Sequence, residues 1–537
     1  MHLEAITMKK AIALLVLLLL TAGAASTAQI LDAKTSGAHL SPEAGREVTV
    51  VPVEGQPHTL SAHSVPVEGA FRPLARPLNI PVADTDVDEY HPTLAAGGGR
   101  YLVAYTHAPS MMERNIMFAM STDGGSSFAD VASFDIEGVQ DHPTLSHWGG
   151  STFYGSFETL TEQGIQYLLE VADVDDISTW GLVYWDWSSY EWTDIHDLHM
   201  ACHNSQESWE YGVISAIAST TYGDYDITNG PHMFFASPET DGSGYISWHD
   251  YSGCIHSTAA MDKPRDRMWT AYDIYNDTMG SYDLFYWSRD FTDPLAEGAS
   301  SAAFIRENYN LLNPSIAAHN DRVAILCQTE MVGNQDISCY YSPDGGESWE
   351  VSTVAASGED ELHPAVALSG EKLVCTFIRG GNLYYAESDD WGATWSEPEQ
   401  LNDEEGTVLS EDRSAAATPV GAIWSDTRDG NSDVYYRAFP VAVLNVEAIS
   451  GGFGVKATVS NTGTAPAEDV PWSITLEGTV FLNSQVSGTI SSLPAGASAD
   501  IGTGLILGIG RVDITVEAGG AFETASGLVL GPLVLGL

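Results

Sequence analysis

The sequence predicts an all-β protein in which a ring of four-stranded units, a β-propeller, is followed by a small β-sandwich. Three observations support this prediction. A short Asp-containing turn motif recurs at intervals of about fifty residues, which is typical of propeller blades or solenoid units. Short alternating apolar segments lie between the copies. The 51 Gly and 24 Pro residues in a chain of 537 supply the many turns that such units need.

The composition is strongly acidic. The chain has 73 Asp and Glu against 21 Lys and Arg, a formal net charge of −52. Binding to nucleic acid requires basic side chains that face phosphates, so the composition argues against nucleic acid and against anionic membranes as partners. High net charge can accompany disorder, but 44% hydrophobic residues with 14 Trp and 23 Tyr provide a core. We expect a folded acidic protein, and adaptation to high salt is the simplest alternative explanation of the charge.

The first 28 residues have the pattern of a secretory signal peptide. Lys9 and Lys10 precede an apolar run at 11–20, and small residues follow up to Ala25 and Ala28, where cleavage is expected. The run is too short to span a bilayer, and no other stretch of spanning length occurs. We therefore expect a secreted or cell-surface protein without a transmembrane segment in the mature chain. Residues 29–70 are interpreted as a flexible linker.

Five cysteines in an exported chain favour disulfide pairing. Cys327 and Cys339 flank an expected hairpin turn and are predicted to form a disulfide across two strands. Cys202 with Cys254 is a second candidate pair. Cys375 is then expected to be a buried thiol.

The repeat motif reads S-x-D followed by Gly and an aromatic residue. It is strongest at 121–128, 342–349 and 388–395, with looser copies at 173–180, 238–244 and 288–291. An x-Pro pair, usually His-Pro, precedes several copies and marks the start of a unit. Unit starts near residues 91, 142, 210, 256, 313, 363 and 413 predict seven blades, or six if the irregular stretch 190–250 is an insertion. A segment near 71–80 is expected to complete the last blade and close the ring.

These motifs resemble the Asp-box, or BNR, repeats of the sialidase-like β-propeller superfamily, over residues 71–440. The resemblance implies that the boxes are structural and lie in turns between the third and fourth strands, opposite the active face. The chemistry agrees, because an Asp carboxylate can accept backbone N–H groups of its own turn and glycine tolerates positive φ. The residues assigned this structural role are Asp123, Gly124, Gly125, Phe128, Asp175, Trp180, Asp290, Asp344, Gly345, Gly346, Trp349, Asp390, Gly392 and Trp395.

The opposite face of such a propeller gathers the loops between blades and those between second and third strands. Carboxylates, imidazoles and arginines are frequent there, and we regard it as the candidate ligand face. Its candidates are His91, Asp141, His142, His256, Asp360, His363, Arg413, Asp426, Arg428 and Asp429. Oxygen ligands suit calcium and imidazoles suit zinc, so calcium is a candidate cofactor. The alternative is that His-Pro only begins an inner strand and the acidic loops are solvated.

A second cluster of metal-ligating residue types lies at 194–203. Its members are Asp194, His196, Asp197, His199 and His203. Spacings of three and four would align them on one helical turn, or a loop could wrap a metal. The alternative is an irregular insertion between blades with Cys202 in a disulfide.

The resemblance also implies a catalytic set of three arginines, a Tyr–Glu nucleophile pair and an Asp acid. Only Arg72, in Phe-Arg-Pro, approximates the family's first arginine motif, and Arg379 and Arg428 are the other arginines near inner strands. The set cannot be assembled, so whether the protein is an enzyme stays open. Two functions are carried forward. One is a non-catalytic module, with calcium as a candidate cofactor, that binds an extracellular glycan or protein. The other is an exo-acting, sialidase-like glycoside hydrolase.

Residues 441–537 differ in composition from the repeat region. They have fewer aromatic residues, and apolar and polar residues alternate at 455–460 and 472–476. The pattern V-x-N-x-G-x-A-x-A resembles CARDB-type, immunoglobulin-like modules of prokaryotic surface proteins. The resemblance implies a β-sandwich that spaces or docks a partner and carries no chemistry.

Overall fold

In a computed structural model of the chain, the described residues are 47–52, 58–61, 63–64 and 79–536, with internal gaps of which 203–211 and 237–243 are the longest. The predicted signal peptide, the Arg72 motif, His203 and the weak box at 238–244 lie outside them. The described chain is nearly all β and divides into two compact units. The first runs to Thr418 and includes Ile423–Tyr435, and the second consists of Pro419–Ala422 and Tyr436–Leu537.

Four short strands precede the blades, and the first three blades follow them. The early strands are β1 (Glu47–Pro52), β2 (His58–Ser61), β3 (His63–Ser64) and β4 (Ile80–Ala83). Blade 1 contains β5 (Asp88–Gly97), β6 (Arg100–Ser110), β7 (Glu113–Ser121) and β8 (Ala129–Ser133). Blade 2 contains β9 (Gln140–Gly149), β10 (Thr152–Thr159), β11 (Ile165–Val171) and β12 (Trp180–Asp186). Blade 3 contains β13 (Trp192–Ala201), β14 (Gly212–Thr220), β15 (Ile227–Ala236) and β16 (Gly244–His249).

The later blades repeat this antiparallel order. Blade 4 contains β17 (Cys254–Asp262), β18 (Arg267–Asn276), β19 (Ser281–Asp290) and β20 (Ser300–Ile305). Blade 5 contains β21 (Leu311–His319), β22 (Arg322–Thr329), β23 (Asp336–Ser342) and β24 (Glu350–Ala355). Blade 6 contains β25 (Glu361–Ser369), β26 (Lys372–Arg379), β27 (Asn382–Ser388) and β28 (Glu399–Gln400). Blade 7 contains β29 (Ala415–Ala417), β30 (Gly421–Asp426) and β31 (Asp433–Ala438), with β4 at its outer edge.

The first strands of successive blades contact one another around a closed circuit, from β5 through β29 and back to β5. They therefore surround a central channel, and the predicted β-propeller architecture is confirmed. The third blade begins at β13 and not near residue 210, so the expected start of that blade was wrong. Two short 3-10 helices, Ile177–Thr179 and Lys263–Arg265, lie in connections. Among the residues described, no helix combines the length and hydrophobicity needed to cross a bilayer.

The ring is closed by a strand from its N-terminal side. β4 pairs with β31 and completes blade 7, so this sheet combines strands from both ends of the repeat region. The closing strand was expected near 71–80 and lies at Ile80–Ala83. Because β4 supplies the fourth strand, blade 7 is complete at the junction of the two ends.

Part of the expected flexible linker is instead β-structure. β1 pairs with β16, β2 with β12 and β3 with β8, which adds a fifth strand to blades 3, 2 and 1. The linker prediction is wrong for these residues. The physical reason is that the outermost strand of each blade presents unpaired N–H and C=O groups, which a passing extended segment can satisfy.

Apolar side chains fill the spaces between adjacent blades. Trp187 and Trp192 lie in the core between blades 2 and 3, and Trp269 lies between blades 4 and 5. Because a blade has neighbours on both faces, its middle strands are buried on both sides. In β22, every residue after Arg322 is buried.

The predicted disulfide between Cys327 and Cys339 is wrong. The register pairs Cys327 with Ser338 and Leu326 with Cys339, so the two cysteines are offset by one residue. Successive side chains of a strand point to opposite faces. Cys327 accordingly lies in the core between blades 4 and 5, and Cys339 in the core between blades 5 and 6.

The remaining cysteines are also buried free thiols. Cys202 packs between blades 2 and 3 and Cys254 between blades 3 and 4, so this second candidate pair is wrong as well. The expectation of a buried thiol at Cys375 is confirmed.

The second unit contains two antiparallel sheets that share one apolar core. The smaller sheet comprises β32 (Leu444–Ser450), β34 (Lys456–Asn461) and β37 (Ser498–Gly502). The larger comprises β33 (Gly452–Phe453), β35 (Ala467–Leu482), β36 (Gln485–Leu493), β38 (Leu507–Ala518), β39 (Ala521–Gly531) and β40 (Leu533–Leu535). Val459 of the smaller sheet and Ile514 of the larger are both fully buried in this core.

Candidate functional site

The Asp boxes form closed local hydrogen-bond networks. In the first, Ser121 Oγ donates to Asp123 Oδ1 at 2.8 Å and accepts Gly125 N–H at 2.9 Å. The Asp123 carboxylate also accepts the backbone N–H and the hydroxyl of Ser127, at 2.9 and 2.7 Å. Burial acts to raise the pKa of Asp123, but these hydrogen bonds outweigh it and hold the pKa below its ordinary value. Gly125 has φ +81°, which glycine adopts without strain.

The same network recurs in blades 5 and 6. Asp344 accepts from Ser342 and Ser348, and Asp390 accepts from Ser388 and Thr394. Each box lies between the third and fourth strands of its blade, as predicted. Trp349 is fully buried in the core between blades 4 and 5, so the box also attaches its blade to the preceding one.

Two weaker copies do not form this network among the described contacts. Asp175 pairs with Arg100 at 2.8 Å, and the adjacent Asp176 caps the 3-10 helix instead. Asp290 accepts the backbone N–H and hydroxyl of Thr292, which is a simple Asx turn.

The opposite ends of the inner strands carry a second recurring feature. At the x-Pro position the pairing with the second strand slips, which forms a β-bulge in blades 1, 2, 5 and 6. Equivalent slips occur in β13 and β17. A bulge bends the strand and redirects a side chain.

The bulges hold non-glycine residues in the left-handed backbone region. Such a residue lies at this level in five inner strands and two positions before a sixth, β29, with φ between 47° and 57°. The six residues are His91, His142, Asp197, Asn313, His363 and Arg413. All except His142 line one cavity in the channel, together with His256 of blade 4. These polar side chains form a ring around the channel. We call the six residues and His256 the channel ring.

His91 is oriented by a buried carboxylate of the next blade. Its Nδ1 lies 2.8 Å from Asp141 Oδ1, and the same oxygen accepts Thr106 Oγ1 at 2.8 Å and His142 N–H at 2.9 Å. Asp141 also pairs with Arg114. Burial favours the neutral forms of both groups, but these contacts hold the pKa of Asp141 below its ordinary range. Burial lowers the pKa of His91, so a neutral imidazole donates from Nδ1 and keeps Nε2 as an acceptor.

His142 stacks on His91 with ring centroids 4.0 Å apart. Its Nδ1 lies 3.0 Å from Glu158 Oε2. Burial acts to lower the pKa of His142, but Glu158 outweighs it and raises the pKa. The other oxygen of Glu158 accepts the backbone N–H of Asp197 at 2.7 Å, which couples blade 2 to blade 3.

Arg413 crosses the channel from blade 7 to blade 3. Its Nη2 donates to Leu198 O at 2.8 Å, and its Nη1 lies 3.7 Å from Glu158 and 3.8 Å from Asp197. Burial acts to raise the pKa of Asp197, but His199 and Arg413 outweigh it and lower the pKa. Arg413 therefore neutralises carboxylates on the far wall.

His256 and Asn313 share one buried carboxylate, Asp273. Its Oδ2 lies 2.5 Å from His256 Nδ1 and accepts Asn313 N–H at 3.0 Å. Burial acts to lower the pKa of His256, but Asp273 outweighs it and raises the pKa to about 9. His256 is accordingly an imidazolium at neutral pH.

The remaining side chains of the ring bind each other across blades 5, 6 and 7. Asn313 Nδ2 lies 3.0 Å from His363 Nδ1 and donates to Asp412 Oδ1 at 2.9 Å. His363 N–H donates to Gln328 of the preceding blade at 2.8 Å. Burial acts to raise the pKa of Asp412, but His363, His256 and Arg413 hold it far below its ordinary value.

The cavity enclosed by the channel ring has a volume of about 230 Å³. Its lining includes the His256 imidazolium and the Arg413 guanidinium as donors and the Asp197 and Asp412 carboxylates as acceptors. His91, Asp141 and His142 could also hold a cation, since one ligand atom of each lies within 4.8 Å of the others. Their ligand atoms are already engaged with one another and with Arg114, which disfavours a metal there.

Several predicted ligand-face residues lie away from the channel cavity. Asp360 accepts Gln335 N–H at 2.8 Å in an exposed loop. Asp426 is buried at the end of β30 and pairs with Arg428 at 2.7 Å, while Asp429 lies in the following turn. The face expected from the sequence therefore separates into two groups.

The cluster at 194–203 is neither a helix nor a metal-wrapping loop. Residues 194–201 form most of inner strand β13, which is interrupted by two register shifts. Asp197 and His199 line the cavity. Asp194 is exposed, and His196 is half-buried outside the cavity lining. The inserted-loop alternative with a disulfide at Cys202 is wrong for the same reason.

Two site residues were missed by the sequence reasoning. Asn313 occupies the His position of an x-Pro pair, and this substitution within the repeat was the available signal. Glu158 lies on a second strand, and only the fold brings it to the ring.

Residues 264–419, which include the boxes at Asp344 and Asp390, match the model of the BNR repeat-like domain. Residues 264–419 of the propeller thus carry BNR-type repeats. No curated protein matches the sequence significantly.

Solved structures that are similar to this chain include two enzymes that act on polysaccharides or their fragments and one β-propeller domain. A polysaccharide lyase of family PL25, an ulvan lyase, is 11% identical, with 67% of this chain and 95% of that chain covered and a TM-score of 0.42. An α-L-arabinanase of Penicillium chrysogenum is 11% identical, with coverages of 67% and 97% and a TM-score of 0.38. The β-propeller domain of the Trilobed protease of Pyrococcus furiosus is 8% identical, with coverages of 65% and 93% and a TM-score of 0.39. Similarity at this level says nothing about what this chain binds.

Proposed function

We propose that the protein is an extracellular sugar-binding propeller that holds a neutral sugar residue in the channel ring without cleaving it. The observation that supports this most strongly is the series of bulges. Five inner strands, and the position two residues before a sixth, β29, keep a non-glycine residue at positive φ, at a cost of about 1–2 kcal/mol for each residue. Strain repeated at one level of the ring is best explained by the use of those side chains.

The charge balance favours a neutral ligand. The imidazolium of His256 is paired with Asp273, and Arg413 lies against Glu158 and Asp197. No cation of the described ring is left without a carboxylate. Sugar hydroxyls both donate and accept hydrogen bonds, which matches a wall that carries both donors and acceptors. The cavity is smaller than the sites of drug-sized ligands and suits one sugar ring.

The same groups disfavour hydrolysis. A glycoside hydrolase needs a carboxylic acid whose pKa is raised so that it can donate a proton. In the ring and beside it, Asp141, Asp197 and Asp412 all have lowered pKa values for the reasons given above. The described cavity lining contains one arginine, Arg413, and not the three that a sialidase uses.

A second candidate function rests on His91. A neutral imidazole oriented through Nδ1 by a buried Asp is the arrangement of a general base. The alternative is therefore a glycan-cleaving enzyme in which His91 abstracts a proton. It predicts turnover of the bound glycan, which the binding proposal excludes.

Binding is tested with the fluorescently labelled mature protein on a microarray of neutral and acidic glycans at pH 7. We expect neutral glycans to be bound, and the signal to be lost in Asn313→Ala and His363→Ala. His319→Ala, at the other end of β21, is the matched control and should bind normally. Exclusive binding of acidic glycans, or equal binding by all variants, would refute the proposal.

Catalysis is tested by incubating the bound glycans with wild type and with His91→Ala. Reducing ends or unsaturated products that form only with wild type would establish the enzyme alternative. Unchanged glycans support the binding function.

Secretion and the C-terminal unit are further parts of the proposal. The pattern of residues 1–28 supports export, and amino-terminal sequencing of secreted protein should begin after Ala25 or Ala28. The resemblance to CARDB-type modules supports an immunoglobulin-like spacer with no ligand chemistry. Loss of glycan binding on disruption of the channel ring alone would agree with that division.

A further inference from the structure

Three carboxylates from separate chain positions meet where the ring closes. Asp84 follows the closing strand β4, Asp429 lies in the turn between β30 and β31, and Asp433 begins β31. One carboxylate oxygen of each lies within 4.8 Å of the others. None of the three lines the channel cavity, so the group is separate from the channel ring.

One of the two carboxylate oxygens of the buried Asp433 side chain has no hydrogen-bond partner. The residue is fully buried, and its Oδ1 accepts Asn431 Nδ2 at 2.9 Å. Its Oδ2 is buried with no hydrogen-bond partner. A buried, unpaired carboxylate oxygen is unfavourable, and a bound cation would satisfy it.

The neighbouring arginine is committed elsewhere. Arg428 donates to Asp426 and to Asp403, and its guanidinium lies 4.0 Å from the ring centroid of Tyr435. Tyr435 in turn donates its hydroxyl to Asp429 at 3.1 Å. Among the described residues, no lysine or arginine forms an ion pair with any of the three carboxylates.

The site is already held in shape. Asn431 Nδ2 donates to the carbonyl oxygens of Thr85 and Val87, each at 3.0 Å, as well as to Asp433. Ser432 N–H donates to Asp88 at 3.0 Å. The segment after β4 is therefore bound to the β30–β31 turn, and the carboxylates are positioned before any ion arrives.

We propose that Asp84, Asp429 and Asp433 bind Ca²⁺, and that the ion clips β4 to β31 and secures the closure of the propeller. Calcium accepts carboxylate oxygens at 2.3–2.6 Å in flexible geometry and completes its shell with water, which fits oxygens at these separations. Zinc prefers nitrogen and sulfur ligands, which are absent from the described group. The closing strand has only four residues, so an ionic link adds substantially to its attachment.

The experiment is a calcium titration of the full mature protein after removal of metal with a chelator. We expect Tm to rise by roughly 3–5 °C when Ca²⁺ exceeds its Kd a hundredfold. We also expect Tb³⁺ bound in place of Ca²⁺ to give luminescence on excitation of Tyr435. Both signals should be lost in the double variant Asp84→Asn and Asp429→Asn, whose substitutions are exposed and should leave the fold intact.

Asp86→Asn is the matched control, because Asp86 is an exposed acid of the same loop outside the cluster. It should keep the Tm shift and the luminescence. A Tm unaffected by Ca²⁺ in wild type, or an equal shift in the double variant, would overturn the proposal. The glycan-binding function does not depend on this result, since the two sites share no residue.

Discussion

The imidazole of His256 lies 2.5 Å from the Asp273 carboxylate, measured from Nδ1 to Oδ2. The other oxygen of Asp273 accepts the backbone N–H groups of Ile255 and His256, at 2.9 and 2.8 Å. Oδ2 also accepts the N–H of Asn313 in the next blade. One carboxylate on a second strand thus orients residues of two inner strands, and this is how the propeller builds its channel ring.

This pair predicts a pH dependence. The pKa of His256 is raised from 6.5 to about 9 in the folded protein, because Asp273 outweighs the effect of burial. The stabilisation is therefore fully present below pH 6.5 and is lost as pH rises through 9. Its size is roughly 3 kcal/mol. We expect the difference in unfolding free energy between wild type and His256→Gln to shrink by about this amount between pH 6 and pH 10.

Urea unfolding of both proteins across that range provides the measurement. The comparison with the variant removes the contributions of the many other acids. A difference that stays constant from pH 6 to pH 10 would show that His256 does not titrate as proposed.

The strain at His363 predicts an unusual order of stabilities. In an ordinary strand Gly is less stable than Ala, by about 0.5–1 kcal/mol. At φ 53° the order should reverse, because a Cβ atom is unfavourable there by about 1–2 kcal/mol. We expect His363→Gly to be more stable than His363→Ala by about 1 kcal/mol in chemical denaturation, while both lose glycan binding. If Ala were the more stable, the bulge would not be strained.

The Asp boxes predict a purely structural effect. Asp344→Asn removes charge-assisted hydrogen bonds from Ser342 and Ser348 in an exposed turn, and we expect a loss of about 1 kcal/mol in unfolding free energy. Glu347→Gln, in the same turn, is the control and should be neutral. The pKa of Asp344 is lowered by these hydrogen bonds despite burial, so its contribution is lost as pH falls through the folded pKa. Glycan binding should not change, and a binding defect would contradict the assignment.

The register of β22 and β23 predicts free thiols. Alkylation of the unfolded, unreduced mature protein should modify all five cysteines, and Tm should be insensitive to reductant. Intact-mass analysis that finds two unmodified cysteines would restore the disulfide between Cys327 and Cys339.

The sequence predicted what is local. The box at Asp344 makes its hydrogen bonds within a few residues of itself, so the motif alone indicated the turn and its place in the blade. The pairing of Cys327 failed because a one-residue register offset decides which face a side chain occupies. Inner strand β13 was missed because Asp197 and Leu198 replace the His-Pro pair that marked other blades.

The candidate site was predicted in part for the same reason. His91, His142, His256 and His363 were visible as repeated motifs, and the fold places them all around the channel. The pairings were not visible, because residues such as Glu158 and Arg413 meet only when distant blades close into a ring. Asp426 and Arg428 are also charged residues in a loop of the expected ligand face, yet they lie in blade 7 outside the cavity. Only the fold separates them from the residues of the channel.

The most direct test of the account is footprinting of histidines with diethyl pyrocarbonate, read by mass spectrometry, with and without the neutral glycan that gives the strongest microarray signal. We expect bound glycan to protect His91 and His363, which line the cavity, from modification and to leave His319 unchanged. Equal modification of all three histidines in the presence and absence of glycan would contradict a binding site in the channel ring.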